Sequence, residues 1–286
     1  MRGMLMFAHN NDLFDYGKMA YASALSAIHH IGKPISIVTD HATWEKLLSE
    51  YPRAMFTFDH AILIDHQNTH QRHFDLADGS TKKAKYHNTS RLDAYELSPY
   101  DETLLIDTDV LIQDTSLQHV WGSSAYVRMN HEISELVLGS DNTQIKLSDK
   151  SLTTFWATIC YFRKCKVTED FFALSKYVKH HYEYYGSLHG FPISIVRVDY
   201  IMTVAAHIMS GYVSGSKSVV EPLPVEDTVF AWNRDIMIDF DEDRTTFLTK
   251  SNGRPFPVST YRTVHCMNKD SMLNMADRII DTYAIL

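Results

Sequence analysis

The sequence predicts an α/β fold with a mostly parallel central sheet flanked by helices. Three observations predict it. Short apolar runs bounded by turn residues alternate with helix-patterned segments through the N-terminal third. That β-α-β-α-β order implies parallel neighbours, because a crossover helix must carry the chain back before a parallel strand can start. The length, 286 residues, and an apolar fraction of 45% suit one α/β domain with a substantial core.

Each element has a local reason. Met4-Leu5-Met6-Phe7-Ala8 is a short apolar run ended by His9-Asn10-Asn11-Asp12, a strand signal. Tyr16 to His30 predicts a helix with Met19, Ala22, Ser23, Ser26 and His30 on one small-residue face, stopped by Gly32 and Pro34. Ile35 to Thr39 is a second strand. Thr43 is the expected N-cap of a helix through Trp44, Leu47 and Leu48 to Tyr51, with Pro52 beyond it. Ala61 to Ile64 is a third strand.

The next stretch, Asp65 to Lys83, is polar and reads as a long loop or lid. Lys85 to Leu97 predicts a helix closed by Ser98-Pro99, and Leu104-Leu105-Ile106 a buried strand running into Asp107-Thr108-Asp109. Val110-Leu111-Ile112 is apolar again. Phe155 to Phe162 is strand-like, while Val167 to Tyr184 and Val198 to Met209 are helix candidates. Tyr212 to Phe256 reads as loops with short strands, and a terminal helix is expected from near Ser271. There is no internal repeat or linker, so residues 1–286 read as one domain.

Charge and cysteine content exclude several classes. A formal net charge of −8 disfavours a dedicated nucleic-acid binder, whose affinity rests on phosphate contacts. Three cysteines are too few for a disulfide scaffold, and Cys160 and Cys165 read as thiols in a reducing compartment. The apolar opening is too short for a signal-peptide core or a membrane span, and Met19 to Ile31 carries Ser23, Ser26, His29 and His30. The expectation is a cytoplasmic protein without a membrane span, in which Asn88-Thr89-Ser90 is an idle glycosylation match.

The acid pair is the most informative stretch. Two carboxylates two residues apart in extended backbone point to one face. The carboxyl end of a buried parallel strand is where open α/β sheets bind ligands. Two anions held close need compensation, and a hard divalent cation such as Mn²⁺ or Mg²⁺ supplies it while leaving positions for substrate phosphate. The competing reading is a turn in which one Asp caps a helix and the other faces solvent. Other candidates are weaker: His66-x3-His70-x2-His73 lacks a carboxylate partner, His131-Glu132 lacks a second zincin His, and neither a P-loop nor a GxGxxG is present. Trp156, Trp232 and Tyr261 suit stacking on a base or sugar, yet large aromatics more often belong to a core.

The run from Lys85 through Arg91-Leu92-Asp93-Ala94-Tyr95-Glu96-Leu97 and Tyr100-Asp101-Glu102-Thr103 into the acid pair resembles the segment before the DxD motif of GT-A nucleotide-sugar glycosyltransferases. The likeness is closest to the family of glycogenin and the lipopolysaccharide galactosyltransferases, where a Lys- and Arg-bearing helix precedes a "vlyLDaDvlv" strand. Met4 to Asn11 resembles its first strand and nucleoside loop, which implies donor contacts from Ala8, His9 and Asn10. Ile35 to Asp40 resembles its second strand, whose terminal Asp reads the base or ribose. Thr263-Val264-His265-Cys266-Met267-Asn268-Lys269 resembles its "iiHf…K" segment, with a metal-binding His and a diphosphate-binding Lys. The resemblance therefore implies a GT-A, Rossmann-like domain with a nucleotide-binding half over about residues 1–115 and an acceptor-side half over about 116–286. Departures exist too. Phe155 to Phe162 lacks the Asn and Gly of "FNsGvm", Val198-Asp199-Tyr200 is a poor match to "DQd", and Lys269 is not followed by Pro-Trp. They point to a donor sugar or acceptor outside the family's usual range.

The implied activity is metal-dependent hexosyl or pentosyl transfer from a nucleoside-diphosphate sugar, a UDP-sugar by the resemblance, to an acceptor hydroxyl. Asp107, Asp109 and His265 would hold Mn²⁺ or Mg²⁺; Lys269 with Lys85 or Arg91 would meet the diphosphate, and Thr108 would contact the donor. An inverting course needs a base, for which Asp199 is the candidate and Asp227 or Glu226 the substitutes; a retaining course, towards which the resemblance leans, does not. The acceptor is expected to be a glycan or small molecule. DNA is the minority option, in the manner of phage enzymes that glycosylate hydroxymethylated pyrimidines, with Lys82-Lys83-x-Lys85 and Arg163-Lys164-x-Lys166 as the basic clusters to nominate. A nucleotidyltransferase or sugar-nucleotide hydrolase with a similar metal–phosphate site, and a catalytically silent nucleotide-sugar-binding protein, are the alternatives.

Overall fold

The computed structural model describes all residues except 66–70, 76–79, 87, 132–133, 138–145, 149–151, 213–218, 225–227, 252–253 and 285–286. Its N-terminal third follows the expected alternation: β1 (Arg2–Phe7), α1 (Tyr16–Ile31), β2 (Ile35–Thr39), α2 (His41–Glu50), the single turn α3 (Ala54–Thr57) and β3 (Phe58–Leu63). Helix α1 starts at Asp15, whose carboxylate accepts from the Lys18 amide. It ends at Gly32, whose φ of 65° suits a residue without Cβ. The cap of α2 is Asp40 rather than Thr43. The Asp40 carboxylate accepts from the Thr43 amide at 2.7 Å, and the Thr43 hydroxyl donates back to it at 3.1 Å. A carboxylate is a cap that also meets the positive helix end, so it wins over the hydroxyl three residues on.

The polar segment after β3 is only partly a loop. Residues β4 (Gln71–Asp75) and β5 (Thr81–Lys85) pair antiparallel as a two-stranded hairpin whose buried Phe74 and Ala84 alternate with polar neighbours. His66 and His70 lie outside the described residues. Lys85 consequently ends a strand, where its carbonyl accepts from the Asn11 side chain at 2.9 Å. The helix expected over Lys85–Leu97 is instead a 3₁₀ turn, Asn88–Asp93, followed by the short α4 (Ala94–Leu97).

Beyond it come β6 (Glu102–Ile106), β7 (Val110–Leu111), a 3₁₀ turn, β8 (Val127–Asn130), β9 (Ser134–Glu135), β10 (Trp156–Arg163), α5 (Lys166–His180), α6 (Tyr182–His189) and α7 (Val198–Met209). The single helix expected over Val167–Tyr184 breaks at His181 into α5 and α6. The remainder is β11 (Val220–Leu223), β12 (Val229–Ala231), β13 (Ile236–Asp241), β14 (Arg244–Ser251), β15 (Arg254–Thr260), β16 (Val264–Cys266) and α8 (Lys269–Ala284). Strands β13–β15 form an antiparallel meander longer than the short strands expected there, because hairpin pairing rather than apolar content sustains them.

The central sheet has the order β11-β8-β10-β6-β1-β2-β3. Only β10 runs antiparallel to its neighbours, so the sheet is mostly parallel, as the alternation predicts. Alternate residues of one strand feed different cores. Met4, Met6, Leu104 and Ile106 pack in the core shared with α1 and α8, whereas Leu5, Leu105, Cys160 and Phe162 pack in the core shared with α5 and α7. The carboxyl ends of β1 and β6 sit side by side (Met6 opposite Ile106), and both deliver their following turns to one edge. No helix among the described residues is long and apolar enough to cross a membrane.

Candidate active site

Asp107 leaves β6 with its amide on the Thr158 carbonyl (3.0 Å), and Val110 N–H returns to the Asp107 carbonyl (3.2 Å). The pair thus sits on a tight turn at the end of the buried strand. Helix α1 fixes that turn from behind: the Ser23 hydroxyl donates to the Thr108 carbonyl at 2.7 Å, and Ser26 to the Ile112 carbonyl. The small residues of that helix face are therefore what lets the loop approach.

The third group arrives from the far end of the chain. Strand β16 pairs antiparallel with β7, His265 opposite Val110, and the Cys266 amide donates to the Asp109 carbonyl at 2.8 Å. One ligand atom from each of Asp107, Asp109 and His265 lies within 4.8 Å of the others. Two carboxylates and an imidazole suit Mn²⁺ or Mg²⁺. His265 Nδ1 is buried and has no hydrogen-bond partner among the described residues, a group that bound metal or water would satisfy.

Electrostatics differ between the two acids. Asp109 is 4% exposed. Burial alone would raise its pKa, but Lys269 and then His265, each hydrogen-bonded to it, hold the carboxyl far below its usual range. Asp107 is more open, with Arg91 Nη1 on its Oδ1 at 2.6 Å. Desolvation pushes it up to about 6, Arg91 opposes that, and neighbouring Asp109 adds to it. The Lys269 ammonium is penalised by burial yet held protonated by Asp109, with Tyr16 behind it.

Two adjoining chambers, both open to solvent, meet at this cluster. The first is walled by Phe7, His9, Tyr16, Lys85, Thr108 and Lys269 among others, and the second by Arg72, Phe74, Trp156, Arg197, Asp199 and His265 among others. Tyr86, Arg91, Asp107, Asp109 and Lys269 face both. Of the residues expected at the site, His9, Lys85, Arg91, Asp107, Thr108, Asp109, Asp199, His265 and Lys269 are thus brought together. Ala8 is buried in the core beneath. Asn10 and Asp40 lie outside both linings: Asn10 accepts from the Gly17 amide and donates its own amide to Thr43, whose amide Asp40 caps. Glu226 and Asp227 lie outside the described residues.

Asp199 is at the first turn of α7, accepting from the Ala157 amide (2.9 Å) and from Arg197 (3.0 Å). Burial raises its pKa, but Arg197 and then the Ala157 amide outweigh it and hold it below the usual value. Tyr16, Arg72, Tyr86 and Arg197 also line these chambers, and the sequence alone does not nominate them. A faint period-2 alternation around Phe74 and Ala84 was the available signal for the hairpin that carries Arg72. Trp156 is 7% exposed and packs against Phe230 while lining the second chamber, so it is both core and wall.

Comparison with known proteins gives the fold. No protein-family model matches the chain, and no curated protein matches its sequence. Among solved structures, the chain is similar to the galactosyltransferase LgtC in complex with donor and acceptor sugar analogues: TM-score 0.53 at 13% identity, covering 100% of this chain and 96% of that one. An active-site variant of LgtC gives a TM-score of 0.52 with the same identity and coverage. The chain therefore has the GT-A fold over its whole length.

Proposed function

We propose that this protein is a metal-dependent glycosyltransferase that moves a sugar from a nucleoside-diphosphate sugar, a UDP-sugar, to the hydroxyl of a glycan or small molecule. The observation that carries the reading is the Asp107–Asp109–His265 cluster at the carboxyl edge of a GT-A sheet, with the protonated Lys269 beside it. A nucleotide-binding half over about residues 1–115 and an acceptor-side half over about 116–286 meet at that edge, and cytoplasmic work on soluble substrates is the setting proposed.

Asp107, Asp109 and His265 would hold Mn²⁺ or Mg²⁺, and a cation there neutralises charge that develops on the leaving diphosphate. The chain's own residues do the rest. Lys269 and Arg91 share the chambers with the acid pair and meet phosphate oxygens as fixed positive groups. His9, Lys85 and Thr108 line the first chamber, where the nucleotide is assigned. Asp199 faces the second chamber as the candidate base of an inverting course. Both its oxygens are engaged and its pKa is held down, which makes it a poor proton acceptor near neutrality and favours the retaining course instead.

Isothermal titration with UDP-, GDP- and CDP-sugars and the free diphosphates, with and without Mn²⁺, tests this. Metal-dependent binding of one diphosphate series, with slow release of free sugar from its donor, is the expected result. Binding without any turnover would make the protein a silent nucleotide-sugar receptor, and no binding would remove the assignment.

A further inference from the structure

Every arginine or lysine that faces both chambers is already paired. Arg91 is on Asp107 and Lys269 on Asp109, and in the second chamber Arg197 is on Asp199. Arg72 is different. It lines the second chamber from strand β4, on the same face as the buried Phe74 and Ala84, and forms no ion pair among the described residues. Its guanidinium is nevertheless held in place. It lies over the rings of Phe74 (5.6 Å) and Tyr86 (5.1 Å) and donates to the Tyr86 hydroxyl at 3.2 Å. Phe74 in turn packs edge-on against Phe14 and Tyr86. Asp270, the remaining acid on this wall, belongs to the first turn of α8.

A guanidinium stacked on two aromatic faces, without a carboxylate partner among the described residues and presented to a chamber that contains the metal-ligand cluster, is organised to receive an anion. We propose that Arg72 is a diphosphate clamp: its guanidinium binds the terminal phosphate of the nucleoside diphosphate, opposite Lys269. This rests on the glycosyltransferase reading and adds to it a residue outside every motif that suggested that reading. The chemistry sharpens the expectation. Breaking the glycosidic bond leaves the diphosphate with one more negative charge than it carries in the donor, so a cation on the terminal phosphate favours the transition state over the ground state. Arg72 then contributes more to turnover than to donor binding, and more to diphosphate than to monophosphate affinity.

The test uses the full-length protein with Mn²⁺, the nucleoside diphosphate that binds best in the panel above, and its monophosphate. Arg72→Gln should weaken the diphosphate roughly tenfold or more while leaving the monophosphate within about twofold, and Arg72→Lys should recover part of the loss. In donor hydrolysis or transfer, kcat should fall further than KM rises. An equal loss for both nucleotides would mark a packing role and overturn the inference, as would Arg72→Gln binding the diphosphate like wild type. In the latter case wild-type binding leaves the glycosyltransferase reading standing. Wild type that binds no diphosphate at all overturns both.

Discussion

Asp107 and Asp109 sit two residues apart yet should answer differently to the same substitution. Asp107 is partly open to solvent and burial pushes its carboxyl up to about 6, but it is also the counter-ion of the buried Arg91, which donates as well to the Ala157 carbonyl. Asp107→Asn should lower turnover by two to three orders of magnitude (about 3–4 kcal/mol of transition-state stabilisation) with only a modest fall in melting temperature, because an amide oxygen there still accepts from Arg91 and Arg91 keeps its bond to the Ala157 carbonyl. Asp109→Asn should lose turnover as well, and more stability, because it removes a buried carboxylate and leaves the half-buried Lys269 ammonium without its counter-ion, a change that costs about 2–3 kcal/mol. The double variant Asp109→Asn, Lys269→Met removes the stranded charge, so its melting temperature should recover while activity stays lost. Thermal denaturation beside a transfer assay separates these outcomes. An Asp109→Asn variant that melts like wild type would show that the Asp109–Lys269 pair contributes nothing to folding.

At the scale of elements, most locally written features are legible, though the Asp40 cap and the 3₁₀ turn at Asn88–Asp93 are not, and what depends on distant pairing is not. The first three strands and two helices follow from apolar runs, small-residue faces and breakers such as Gly32, all within a few residues of one another. The acid pair was legible because Leu104-Leu105-Ile106 marks its strand without reference to anything else. The proximity of His265 to Asp109 came only through resemblance, since the β16–β7 pairing joins segments more than a hundred residues apart in the chain. Arg72 has only a faint local signature, the alternation around Phe74 and Ala84: in a polar stretch an arginine reads as solvated, and it is the hairpin that turns it to the cleft. Asp40 shows how one residue can satisfy a motif and a cap at once. If it serves only as the N-cap of α2, Asp40→Ser keeps the cap and should leave both stability and nucleotide affinity near wild type, while Asp40→Ala costs about 1 kcal/mol. Titration of the two variants with the bound nucleotide decides it, since a base- or ribose-reading role would weaken binding in both. Ser23 links element to site in the same way. Ser23→Ala orphans the Thr108 carbonyl, and should cost about 1–3 kcal/mol and lower Mn²⁺ affinity without touching a ligand.

The whole molecule is closed by its two ends. Helix α1 from the N-terminal third and α8 from the C-terminus cover the same face of the central sheet, and His30 is a seam between them. It is 8% exposed, with Nε2 at 3.3 Å from both the Tyr283 hydroxyl and the Glu242 carbonyl, and with the His29 ring edge-on at 4.7 Å. Burial, and secondarily His29, lower its pKa below the ordinary 6.5, against the opposing pull of the Glu242 carbonyl, Asp243 and Asp114. The unfolded chain therefore binds a proton at this histidine in a pH window, starting near 6.5 and extending downward, where the folded chain does not. Since the unfolded state holds more protons there, stability rises with pH through the window and falls as pH drops below 6.5. Above 6.5 the histidine is neutral in both states and the penalty is absent. Urea denaturation at pH 8 and at pH 5 should show wild type losing more stability on acidification than His30→Gln, whose amide can still bond Tyr283 but carries no titrating proton. Identical losses in the two proteins would mean that the seam between the helices admits the proton freely, and that acid sensitivity arises from the carboxylates elsewhere.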